Sequence, residues 1–117
     1  MRTFRDLEIW KKGIILARDI YLISNSFPKE EKYGLTSQIR RCAVSIPSNI
    51  AEGCSGTNNS LKNYLSIALG SSFELETQLI IASELSYLNE DINTMLPKIN
   101  YLQRQISSFR NSILDKT

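Results

Sequence analysis

The chain has 117 residues, enough for one ordinary domain with one core, and its 42% hydrophobic content is that of a globular protein. Fourteen basic and twelve acidic side chains leave a net charge of +2, too little to be a nucleic-acid signature by itself. The longest apolar runs, such as "IILA" and "LIIA", are four residues, so no segment can span a membrane.

Spacing predicts four helices and no strand. The first covers about residues 5–24. Leu7, Trp10, Ile14, Ala17 and Tyr21 form one stripe, and Ile9, Leu16, Ile20 and Ile23 form a second. Projected at 100° per residue they merge into a wide apolar arc. The remaining gap holds Glu8, Lys11, Lys12, Arg18 and Asp19, yet Ile15 and Leu22 also fall inside it. A helix apolar on so many sides is central or covered by a partner, and Ile15 and Leu22 are the expected oligomer contacts.

A break follows at "NSFPKEEKYG", where Pro28 suits a first helical position. The second helix is expected over residues 31–53, its start lying between Lys29 and Leu35 and its end at Gly53. Pro47 falls inside it, cannot donate to the carbonyl of Ala43, and predicts a kink. The third helix is expected over residues 59–87, on a stripe of Leu61, Leu65, Ala68, Ser72, Leu75, Leu79 and Ala82. Leu69, Phe73, Glu76 and Ile80 trace a second seam. The fourth is expected over residues 91–114, with Asn89 as candidate cap and a narrow heptad from Ile92 to Ile113. Pro97 implies either a kink or a start near Leu96. Short connections predict an all-α, antiparallel up-down-up-down four-helix bundle in one domain, with the second helix kinked at Pro47.

Charge is uneven. Residues 2–18 and 98–116 each sum to +3, while residues 62–91 sum to −4. This fits oppositely charged helices lying side by side, or a basic face on the first and last helices. Cys42 and Cys54 are twelve residues apart, about 18 Å along one continuous helix, beyond disulfide reach. With a charged N-terminus lacking an apolar core, they predict a cytoplasmic protein.

The chain has no histidine. That removes Ser-His-Asp and Cys-His catalysis, zinc His-Glu sites, the Glu-x-x-His pairs of di-iron bundles and the Arg-and-His motif of small helical ribonucleases. Glu74 and Glu76 point about 160° apart on a helix and cannot pair with each other. "GCSG" has no following lysine and no preceding strand, so it is no phosphate loop. No cofactor or metal is expected, and no enzymatic activity.

The most informative stretch is "RRCAVSIPSNIAEG", residues 40–53. On a wheel, Leu35, Ile39, Cys42, Ala43, Ile46 and Ile50 share a core face. Gln38, Arg41, Ser45, Asn49 and Glu52 form a polar stripe directly beside it, with Arg40 further round. A border stripe is partly buried. The candidate polar interface or nucleic-acid contact is therefore Arg40, Arg41, Ser45, Asn49 and Glu52, touching a sister helix, a sister subunit or a phosphate.

"FPKEEKYGLTSQIRRCAVSIPSNIAEG" (residues 27–53), "ALGSSFELETQLIIASELSYL" (residues 68–88) and "FRDLEIWKKGIILARDIY" at the start resemble the four-helix-bundle proteins encoded by intervening sequences within 23S ribosomal RNA genes. The resemblance covers nearly the whole chain in order. It implies an antiparallel four-helix bundle assembled as a barrel-like homopentamer, without enzymatic activity. It also implies kinship with the accessory variability protein of diversity-generating retroelements, which is basic and works with RNA and a reverse transcriptase. The expectation is a homo-oligomeric, pentameric bundle acting as a scaffold or an RNA-associated protein. The alternative is a direct nucleic-acid binder using basic residues of helices one, two and four.

Overall fold

A computed structural model describes residues 3–114; Arg2 and Lys116, counted in the basic ends above, lie outside them. The described residues form four α-helices and no strand. These are α1 (Glu8–Ser24), α2 (Leu35–Gly53), α3 (Asn58–Glu84) and α4 (Ile92–Ser112). A 3-10 turn at Phe4–Asp6 precedes α1, and another at Lys29–Glu31 precedes α2. The helix α1 packs on α2 and α4, α2 packs on α3, and α3 packs on α4; α1 and α3 make no backbone approach. They therefore sit at opposite corners of the bundle.

The core follows the expected stripes. All seven positions of the α3 stripe, Leu61 to Ala82, are buried. Against them lie Ile39, Cys42, Ala43, Ile46 and Ile50 of α2, and Met95, Ile99, Leu102 and Ile106 of α4. Each large apolar side chain so buried contributes about 1.5–3 kcal/mol. The first helix gives less: only Ile9, Gly13, Ile20 and Ser24 are buried on it.

Two prolines lie inside helices. Pro47 is buried and meets α1 at Gly13, where a Cβ would come within 3.2 Å of the Pro47 Cβ. Glycine at position 13 is thus what lets the two helices approach. Pro97 is exposed within α4, which runs unbroken from Ile92. The helix does not wait until Leu96 to begin, because Asp91 caps it. The Asp91 carboxylate accepts from the Asn93 amide at 2.9 Å, so Asp91, not Asn89, is the cap.

Other boundaries moved for equally local reasons. The second helix begins at Leu35 rather than residue 31, because the Glu31 carboxylate turns back to accept the Leu35 amide at 3.0 Å. A Cβ on Gly34 would stand 2.6 Å from that carboxylate, so the glycine makes room for the cap. The third helix starts at Asn58, with Thr57 Oγ1 accepting from the Ser60 amide. It ends at Glu84 rather than residue 87. There the Tyr87 amide donates to Ala82 and the Ser86 amide to Ser83, a Schellman closure with Ser86 in the left-handed region at φ 61°. That closure aims Tyr87 at Phe27, with ring centroids 5.6 Å apart, and at Glu31, whose Oε2 accepts the phenol at 2.9 Å.

Two outcomes test these ends. Ser86→Gly removes the cost of a Cβ at positive φ and is expected to stabilise the fold by about 0.5–1 kcal/mol, read as a raised Tm. The Leu35 amide, then the Tyr87 phenol, hold the Glu31 carboxyl below its ordinary value of 4.5. The native state thus binds fewer protons than the unfolded chain, so this contribution is complete above about pH 4.5 and is lost as pH falls through the lower native value. Melting curves from neutral pH down to pH 3 should fall less steeply for Glu31→Gln than for the wild type.

Candidate functional site

The polar edge of α2 faces α3. Ser45 Oγ and Ser71 Oγ lie 2.9 Å apart and share one hydrogen bond. Asn49 Nδ2 donates to the Ser45 carbonyl and to Ser45 Oγ, both at 2.8 Å. Small side chains on both helices allow this approach. One turn further, Glu52 accepts from the Tyr64 phenol, and that bond, followed by the charge of Glu52, raises the Tyr64 pKa. At the other end of the seam lies Cys42. Burial first, then a hydrogen bond to Glu74 and its charge, push the Cys42 thiol up to about 11, while a Gln78 hydrogen bond and the Arg41 charge oppose the shift. The thiol is protonated at neutral pH and is a poor nucleophile. The buried Gln78 Oε1 has no partner.

Arg40 belongs elsewhere. Its Nε donates to Ser24 Oγ at 2.7 Å, and its terminal nitrogen donates to Asn25 Oδ1 at 3.1 Å and to the Tyr21 carbonyl at 3.3 Å. The guanidinium lies 4.7 Å from the centroid of the Tyr21 ring. The last carbonyls of a helix lack internal partners and carry the negative end of its dipole. Arg40 supplies both donors and positive charge there, so it fastens α2 to the end of α1. Arg41, the next residue, is exposed beside Cys42. Ser45 and Asn49 are thus brought together, Glu52 continues their line at Tyr64, Arg41 borders it, and Arg40 stands apart.

Ile15 and Leu22 are exposed, at 48% and 63%. They border the loosest seam of the bundle, between α1 and α4. A cleft of about 530 Å³ and another of about 270 Å³ run along it and share Leu16, Asp19 and Lys98. Lys12 crosses the seam, donating to Gln105 Oε1 at 2.9 Å and lying 4.3 Å from the Tyr101 ring centroid.

A second polar group, between α3 and α4, escaped the sequence reading. Gln103 Nε2 donates to Glu76 Oε1 at 2.8 Å and, at 3.4 Å, to the Ser72 carbonyl, while Asn100 donates to Gln103 Oε1 at 3.0 Å. The signal was present: Ser72 stands in the buried stripe of α3, and Glu76 in its second seam. Among the described residues no cluster of His, Cys, Asp or Glu is placed to hold a metal ion. No helix there is long and apolar enough to cross a membrane.

The two neighbouring arginines should separate in a stability measurement. Arg40→Ala is expected to cost about 1–2 kcal/mol in chemical denaturation, through the lost charged hydrogen bonds. Arg41→Ala is expected to stay within about 0.5 kcal/mol of the wild type.

No curated protein matches the chain significantly. The family described as 23S rRNA-intervening sequence protein matches residues 5–108. That span takes in α1, α2 and α3 entire and most of α4. The chain belongs to the 23S rRNA-intervening sequence protein family.

Proposed function

We propose that the chain is a non-catalytic building block that assembles with copies of itself into a pentamer and serves as a scaffold or an RNA-associated protein. The observation that carries this reading is apolar surface on opposite corners of the bundle. Ile14, Ile15 and Leu22 of α1 and Ile67, Phe73, Ile80 and Ile81 of α3 are all at least 42% exposed. Exposed apolar surface that recurs along a helix face marks an interaction site. The fivefold stoichiometry rests on the resemblance described above, and the link to RNA on the family description alone.

The protomer in this reading is an antiparallel up-down-up-down bundle. The paired residues support that arrangement, since numbers rise on one helix as they fall on its neighbour. Ser45 meets Ser71 while Gly53 lies against Tyr64; Ser72 meets Gln103 while Ser66 meets Arg110. We also take α2 to bend at Pro47, which lacks the amide that would bond Ala43. The non-catalytic part draws on the absence of histidine, the protonated Cys42 thiol and a seam whose Ser and Asn side chains bond one another.

Light scattering should give a mass near five times the 13.3 kDa chain at micromolar concentration. A monomer there would refute the assembly. Ile15→Glu with Leu22→Glu should lower the mass while leaving the helical circular dichroism unchanged. For RNA association, structured RNA should be retained at low salt and released steeply towards physiological salt. No retention at low salt would remove that part.

A further inference from the structure

We infer that the assembly contact is heterologous: the α1/α4 face of one copy receives the outer face of α3 of a second copy. This rests on the self-assembly proposed above and adds which surfaces meet.

The receiving face is the α1/α4 seam, where Leu22 lines the larger cleft and a neighbouring apolar cleft of about 270 Å³ has a basic rim. Ile15, Leu16, Tyr101 and Leu102 line it, with Lys12 and Lys98 beside them. Its acidic residue, Asp19, lies 3.7 Å from Arg18. Together α1 and α4 carry six Lys or Arg against two acidic side chains.

The entering face is apolar with an acidic rim. Ile67, Phe73, Ile80 and Ile81 are 42–52% exposed along α3. Gly70 lies among them, with nothing within 4 Å of where a Cβ would stand, which leaves a low place on the surface. Glu74 and Glu84 are exposed, and α3 carries three glutamates against the single Lys62.

Spacing and charge both match. Ile15 and Leu22 are seven residues apart, as are Phe73 and Ile80, so each pair spans about 10.5 Å along one helix face. Pairing the α1/α4 face with itself would set one net-basic surface against another. Pairing α3 with itself would set one net-acidic surface against another. The unlike pairing sets a net-basic face against a net-acidic one. Since α1 and α3 do not touch and lie at opposite corners, each copy can engage two neighbours at once. Such head-to-tail contacts build rings or filaments, not simple dimers.

The test uses two blocked variants, Ile15→Glu/Leu22→Glu and Phe73→Glu/Ile80→Glu. Each alone should be a folded monomer by circular dichroism and light scattering. Mixed in equal amounts, they retain one intact copy of each face, and the mass should double to a 1:1 heterodimer and go no higher. No gain in mass on mixing, with the wild type assembled, overturns the inference. So does either variant keeping the wild-type mass, and so does Ile15→Glu/Leu22→Glu losing RNA retention with its mass unchanged, which would make this face an RNA surface. A monomeric wild type overturns the assembly itself. If a double variant fails to melt cooperatively, Leu22→Glu and Phe73→Glu take its place with the same readout.

Discussion

Seven side chains on α3, from Leu61 to Ala82, alternate four and three residues apart, and both α2 and α4 are built onto that line. The first helix has no place on it. It reaches the bundle through α2, with Gly13 against Pro47, and only loosely through α4. From this inequality come the low burial of α1, the clefts beside α4 and the apolar side chains that α1 leaves facing outward.

Polar groups at the helix interfaces hold the helices in one register. Ser45, Asn49 and Ser71 fit together between α2 and α3, and Gln103, Glu76 and Ser72 between α3 and α4. Sliding a helix by one residue would turn these groups about 100° away and leave buried donors and acceptors unmatched. An apolar seam alone tolerates such sliding more easily. The bundle thus takes its energy from leucine and isoleucine and its alignment from serine, asparagine and glutamine.

Helix number and core faces were legible because burial repeats with the helical period, and nothing beyond the local pattern is needed to see it. Every position of the α3 stripe was read correctly on that basis, including the polar Ser72. Helix ends were less legible, because each turns on which nearby amide or carbonyl one group bonds, and at Glu31 a distant contact adds to it. Glu31 delays α2 by folding back onto Leu35, and its other oxygen is held by Tyr87, 56 residues away. The polar stripe of α2 was visible, but its partners Ser71 and Tyr64 were not, since matching them needs the offset between two helices. Arg41 was placed in the polar stripe and Arg40 further round, but the wheel did not say what either touches. They point about 100° apart, so one meets α1 and the other stays in water beside α3.

The state of Cys42 has a practical consequence. With its thiol pushed up to about 11, only about one molecule in ten thousand carries a thiolate there at neutral pH. Cys54 is also buried. Both native thiols are therefore slow towards alkylating reagents while the bundle is folded. A cysteine introduced on an exposed helix face would be the fast-reacting position. Fluorescent or spin labels could then report on that face alone, in the otherwise native protein.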